Sequence, residues 1–172
     1  MAADIDNVKL GPCSVSFNGV DVGHTKGGVT VSYEAEYHDV TVDKYGNTVA
    51  EKVLIGETLK VTVPLTENTI ANMLIAIPAA TSVGTSERAT IGKDAGLRMG
   101  QFAKELVLHP LANQVSDLSE DVVLHKALVS EGIEWKYATD GERMAEVVFH
   151  ALLDEAKADG NRLGFIGDST AT

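Results

Sequence analysis

The sequence predicts a mainly β, antiparallel domain: a β-sandwich or partly closed barrel with one flanking α-helix and a long protruding hairpin. Three observations lead there. Apolar residues recur with period two over Val29–Tyr37 and again over Glu57–Leu65, the alternation of strands with one covered face. Turn dipeptides such as Asn18-Gly19, Gly27-Gly28 and Asp140-Gly141 fall between the apolar runs. Only one clear segment, Thr66 to Pro78, carries helical spacing. A chain of 172 residues with 44% apolar content can build one domain with its own core, so residues 1–172 read as a single unit. Aromatic residues make up only 5%, which leaves that core to Val, Leu, Ile and Ala.

Residues 1–11, MAADIDNVKLG, read as a polar N-terminal arm that a partner would order. Residues 12–17, PCSVSF, form a strand in this reading, and Asn18-Gly19 turns it into a short return strand, Val20–Val22. In the next strand Val29, Val31, Tyr33, Ala35 and Tyr37 share one face, and Thr30, Ser32, Glu34 and Glu36 share the other. That pattern predicts a half-buried strand. Thr41–Asp43 stays extended, Tyr45-Gly46-Asn47 turns, and Thr48–Ile55 returns. The stretch His38–Gly56 is therefore expected to be a long hairpin with little core of its own, either resting on a neighbouring subunit or mobile.

The helix is expected to start with Thr66 as N-cap and Glu67 at the positive end of the dipole. Ile70, Met73, Leu74 and Ile77 form the stripe that packs on the sheet, and Pro78 ends it. Residues 79–101 are small, polar and glycine-rich, and read as a long loop that is flexible or held by a partner. Phe102–Leu108, Val122–Val129 and Ile133–Tyr137 read as strands. Arg143–Leu153 fits a helix through Met144, Val147, Val148, Ala151 and Leu152, and a strand through Ala145, Val147, Phe149, Ala151 and Leu153. The turn at Asp140-Gly141, which would pair it with Ile133–Tyr137, decides for the strand. Residues 160–172 read as a short, exposed, partly disordered tail.

No arrangement in the sequence calls for chemistry. His24, His38, His109, His125 and His150 never stand at i, i+3 or i, i+4 to one another, so no helical metal pair exists. There is no Gly-x-Ser-x-Gly elbow, and Asp94 follows Gly92-Lys93 where a phosphate loop needs Ser or Thr. Cys13, the single cysteine, lies in a predicted strand and reads as a small apolar filler; alone, it allows no internal disulfide. Glu34 and Glu36 form a polar row on a strand rather than an acid/base pair. We expect no catalytic residue, no metal and no cofactor. The formal charge of −11 disfavours tight binding to nucleic-acid phosphates, yet suits a wall that DNA slides past. A leader with a basic start and an apolar run is missing, as is any window of roughly 18 apolar residues. The expectation is a soluble protein made in the cytoplasm, with no membrane partner.

The run Gly23-x-Thr25-Lys26-Gly27-Gly28-Val29, the strand Val29–Tyr37, the turn Val42-Asp43-Lys44-Tyr45-Gly46-Asn47-Thr48, the segment Ile55-Gly56-Glu57 and the stretch Val61–Ile70 follow one another in a telling order. In that order they resemble the major tail tube proteins of tailed bacteriophages. The resemblance covers residues 8–75 well; beyond them it holds mainly in strand order and in an ending near Leu163-Gly164-Phe165-Ile166-Gly167. It implies a subunit of homohexameric rings with a continuous inner β-barrel, stacked into a hollow tube through which the genome is ejected. It places the chain in the virion tail, assembled in the host cytoplasm. Implied partners are other copies of itself, tape measure, baseplate and tail terminator proteins, in contractile tails a sheath, and genomic DNA passing through the lumen without specific binding. Implied contacts between subunits and rings fall on the hairpin tip: Asp39, Val40, Thr41, Val42, Asp43, Lys44, Tyr45, Gly46, Asn47 and Thr48. The N-terminal arm and residues 79–101 come second, and Glu34 and Glu36 are candidates for the lumen wall. The alternatives are the inner tube of a contractile bacteriocin-like or type VI secretion particle, and a monomeric sandwich that binds carbohydrate or protein through exposed aromatics. An enzyme comes last.

Overall fold

Asn18 and Gly19 adopt φ values of 53° and 76°, the left-handed pair that a two-residue type I′ turn demands. They fold β1 (Cys13–Phe17) back on β2 (Val20–Asp21), as the sequence predicts. The coordinates are a computed structural model that describes residues 9–85, 87–135, 137, 139 and 141–170. The chain continues through β3 (Thr30–Thr41), β4 (Val49–Leu65), α1 (Ile70–Ala76), β5 (Thr81–Val83), β6 (Arg88–Thr90), β7 (Lys104–Pro110), β8 (Val122–Val129), β9 (Ala145–Ala151) and β10 (Gly164–Ile166). One antiparallel sheet of eight strands runs in the order β2-β1-β7-β8-β9-β4-β3, with β10 attached to β8. The mainly β fold with one helix agrees with expectation. The sheet is not closed into a barrel.

Two features curl this sheet on itself. One edge of β8 pairs with β7; the other is divided, Val122–Leu124 taking β10 and Ala127–Val129 taking β9. Strand β9 thus leaves β8 and crosses to β4, where it pairs along Lys60–Leu65. At the opposite end, Asp21 still pairs with β1, while His24 O already accepts a hydrogen bond from Thr66 N beyond β4. Three residues of chain span about 10 Å at most, so the outer ends of the sheet are drawn together there. The Phe17 and Phe149 rings report the result: they sit on β1 and β9, three places apart in the sheet, with centroids 5.4 Å apart. In a flat sheet that separation would be about 14 Å. The enclosed core holds Val15, Val22, Val61, Val63, Leu106, Leu124, Val147 and Phe149. Cys13 packs against it, as a filler would, and burial pushes its thiol pKa up.

Helix α1 sits at the point where the chain crosses between edges. Its cap is Thr69, whose hydroxyl accepts from Asn72 N at 3.2 Å. The expected cap, Thr66, is committed elsewhere: its N–H and its hydroxyl both donate to His24 O, at 3.0 and 2.8 Å. The buried Asn72 amide then donates to Val22 O and Glu67 O, at 2.9 and 2.8 Å. Gly23 lies under the Glu67 carboxylate, and a Cβ there would come within 2.5 Å of it.

Four further expectations are corrected. Glu57–Leu65 is not a separate strand: β4 runs unbroken through Gly56, and a bulge at Ile55 absorbs the change of register. Residues 79–101 are not a structureless loop, since they form the β5–β6 hairpin and the start of a 3-10 turn, Met99–Phe102. Within Arg143–Leu153, Ala145–Ala151 is a strand as expected, but it pairs with β4 and β8; its link to 133–137 among the described residues is one bridge, Trp135 to Ala145. Lys136, Ala138 and Asp140 of that expected hairpin lie outside the described residues. The tail is not loose at Gly164–Ile166, where β10 completes the edge of β8; its last two residues, 171–172, lie outside the described residues. Of the N-terminal arm, residues 1–8 do as well, and residues 9–11 are exposed.

Phe149→Ala should cost about 3–5 kcal/mol, the usual range for emptying a buried phenylalanine site. Asn72→Ala should cost about 2 kcal/mol by leaving buried backbone carbonyls without their donors. Urea unfolding followed by circular dichroism measures both.

Candidate functional site

Strand β4 is held very unequally along its length. From Lys60 to Leu65 it has β9 on one edge and a chain partner on the other. From Val49 to Leu59 its only partner among the described residues is β3. Those residues make a two-stranded ribbon that projects about 35 Å from the sheet. The hairpin expected at His38–Gly56 is the outer part of this larger feature.

Register assigns the faces. Val31, Tyr33, Ala35 and Tyr37 lie on the side that also carries Val61, Leu59 and Leu54. This is the core face, since Val61 is fully buried. It becomes exposed outward: Tyr33 is 58% exposed, Tyr37 53% and Leu54 48%. The half-buried strand expected at Val29–Tyr37 is therefore uncovered along its outer part in the single chain. Every residue from Thr41 to Ile55 is exposed.

Two irregularities shape the ribbon. The bulge at Ile55 and a second register shift at Ala50 both lie on β4, so β3 keeps its alternation while β4 changes phase. Beyond the first bulge both faces carry apolar side chains, Tyr37 opposite Leu54 on one and His38 opposite Val53 on the other. At the tip, Asp43–Tyr45 form a 3-10 turn, and Val42, Tyr45 and Val49 are exposed. Lys44 Nζ stands 5.6 Å from its own neighbour's ring, Tyr45. One ion pair, Lys52 with Asp39 at 2.7 Å, ties the two strands. Being exposed, it is worth little.

The candidate contact residues Asp39 to Thr48 are thus gathered at one end of the ribbon. Glu34 and Glu36 are separate from them, on the opposite, polar face with Ser32, Thr58 and Lys60. Sequence reasoning missed the apolar side chains nearer the ribbon root. The signal was present in Val31, Tyr33 and Tyr37, which continue the core alternation past the length any facing strand covers.

Where the ribbon joins the sheet, its apolar face and the 153–166 segment enclose a groove of about 720 Å³. Tyr33 donates to Glu57 Oε1 at 2.6 Å on the ribbon side, and this hydrogen bond pushes the tyrosine pKa up. The other wall is anchored through Asp154, which takes Lys126 at 2.8 Å and whose N–H donates to Arg162 O at 2.9 Å. His125 and Asn161 add a 3.0 Å contact.

Elsewhere two histidines each meet one carboxylate. His109 lies 2.6 Å from the buried Asp121, and His150 lies 2.8 Å from Glu131. Among the described residues no three His, Cys, Asp or Glu side chains converge to hold a metal ion. Among them also, no helix is long and apolar enough to cross a membrane.

The Lys126 hydrogen bond holds the Asp154 carboxyl below the usual carboxylate range. Its stabilisation is present above the unfolded carboxylate pKa and is lost as pH falls through the lower folded value. Asp154→Asn should therefore lower Tm at neutral pH, with the difference from the parent chain shrinking below about pH 4. Thermal melts across that range check this. A second expectation concerns the ribbon: replacing Asp39–Lys52 by a two-residue turn should leave the Tm of the dilute protein nearly unchanged, because no core side chain is removed.

Compared with protein-family models and with curated protein sequences, the chain matches none.

Proposed function

We propose that this chain is the structural subunit of a bacteriophage tail tube, forming stacked homohexameric rings whose bore conducts the genome into the host. The observation that carries the reading is the ribbon, Thr30–Leu59, whose apolar face beyond the groove, at Tyr37 and Leu54, has no covering element among the described residues. A two-stranded ribbon is marginal by itself in water. An exposed apolar face of this length marks an interface. The resemblance of residues 8–75 to major tail tube proteins supplies the direction. The net charge of −11 and the polar Glu34/Glu36 face agree with a bore that does not trap DNA. In this reading the protein resides in the virion tail and meets tape measure, baseplate and terminator proteins at the tube ends.

One observation favours a second reading. Tyr33 and Tyr37 are exposed on a single sheet face, which is what a carbohydrate- or protein-binding sandwich would present.

Negative-stain electron microscopy of concentrated protein separates the two. Rings or hollow tubes of uniform width are expected, whereas uniform monomers that bind glycans through Tyr33 and Tyr37 would overturn the tube. Tyr37→Asp combined with Leu54→Asp should leave the monomer's Tm almost unchanged, since both side chains are about half exposed. It should raise the concentration needed for assembly by at least about tenfold, the effect of losing roughly 1.5 kcal/mol or more of apolar burial. Glu34→Lys with Glu36→Lys should still give tubes but slow genome delivery. Normal infection by that variant would remove those residues from the lumen wall.

A further inference from the structure

We infer that Asn18 is a self-modification site: it deamidates through its own backbone when the β1–β2 turn opens, and one product holds the turn open. Asn18 and Gly19 are both exposed at the tip of a hairpin on the edge of the sheet. Gly19 brings no side chain to the nitrogen that must attack, and a Cβ there would meet nothing within 4 Å. The other described asparagines are less suited. Asn68 and Asn72 are held by backbone carbonyls, and Asn161 by His125. The Asn113 amide nitrogen is buried. Asn47 precedes Thr48, whose branched side chain crowds its own backbone nitrogen.

The closed turn holds the reaction off. With φ of 53° at Asn18 and 76° at Gly19, a type I′ turn points the Gly19 nitrogen away from the Asn18 Cβ. Attack waits for the turn to open, and opening buries nothing less than before. Residues 18–21 are all exposed, and β2 is two residues long. The opening segment is also bounded. Val22 is 1% exposed, its N–H donates to Val15 O at 3.0 Å, and its carbonyl accepts from Asn72. Opening thus breaks the Phe17–Val20 pair and the 2.8 Å bond from Asn18 N to Glu105 O, and stops at Val22. In the open form the Gly19 nitrogen attacks Asn18 Cγ. A nitrogen–carbon bond forms, the Cγ–Nδ2 bond breaks, and Nδ2 leaves as ammonia with the Gly19 proton. Solvent water then opens the cyclic imide at either of its carbonyls. Opening at the side-chain carbonyl gives aspartate on an unchanged backbone; aspartate tolerates positive φ, so the turn recloses. Opening at the main-chain carbonyl gives isoaspartate, which adds a carbon to the backbone. A two-residue turn that keeps Phe17 opposite Val20 has no room for it. Neither product returns to asparagine, so the turn is a one-way clock on the age of the chain.

Ageing the full chain in neutral buffer tests this, with peptide mapping over time for the mass shift of amide to acid. Asn18 should convert at least about tenfold faster than any other described asparagine. A peptide spanning residues 13–22, which has no folded turn to protect it, should convert faster still. Isoaspartate, identified by methyltransferase labelling, should be among the products. In the isoaspartate fraction the amides of Asn18 and Val20 should exchange at least about tenfold faster than in fresh protein, while Val22 stays protected. Asn18→Asp carries the same new charge on a normal backbone and should exchange like fresh protein. Conversion at Asn18 no faster than at the other asparagines would overturn the site. Equal rates in peptide and protein would overturn the gating by the turn. Isoaspartate with unchanged Val20 exchange, or Asn18→Asp exchanging as fast as the aged fraction, would overturn the held-open turn.

Discussion

A single strand, β4, has to serve the core at one end and nothing at the other, and the rest of the molecule follows from that imbalance. Its inner residues Val61, Val63 and Leu65 are fully or almost fully buried, and face Phe149, Val147 and Ala145 across β9. Its outer residues, from Val49 to Leu59, have only β3 beside them among the described residues, and bulges at Ile55 and Ala50 break their alternation. Burial of a core side chain contributes roughly 1.5–3 kcal/mol, so the inner end is firmly fixed and the ribbon leaves the sheet in a defined direction. The stability of the outer end must come from elsewhere. Two-stranded pairing alone does not supply it.

The rest of the fold sets up the ribbon root. Curling of the sheet requires β9 to leave β8 at Ala127, and the vacated edge of β8 is taken by β10. That replacement places Phe165 and Ile166 across from Tyr33 and Leu59, so one event in the sheet creates both a closed core and an open groove. At the far side, Asn72 and Glu67 hold the chain at Val22 and His24, where it passes from β2 to β3, which keeps the curl in place. The projecting ribbon and the groove at its root thus have a common origin.

Much of this was legible in the residues. Asn18-Gly19, the alternation of Val29–Tyr37 and the apolar run Val122–Val129 each encode their structure locally, and each element lies where the pattern puts it. The misses have local causes too. Thr66 carries every mark of a cap, but its hydroxyl is taken by His24, a residue more than forty positions away. Ile55 and Gly56 interrupt the alternation of β4, and a bulge reads in sequence like a turn. Strand β10 is three residues long, too short for any period to show, and exists because β9 left an edge free. The projecting hairpin was recognisable from its lack of large apolar residues near the tip. The apolar face at its root was not, since Val31 and Tyr33 look like ordinary core positions until the facing strands are known to stop at Lys60.

Amide hydrogen exchange along the ribbon, measured at low concentration and again in the assembled state, tests the central claim most directly. If the ribbon depends on a second copy, the inter-strand amides of Tyr37–Val53 exchange within seconds in the dilute chain, while those of β8 and β9 stay protected. On assembly the ribbon amides should slow by about 100-fold or more, reflecting burial worth some 3 kcal/mol. Protection of those amides in the dilute monomer, or continued fast exchange after assembly, would contradict the account.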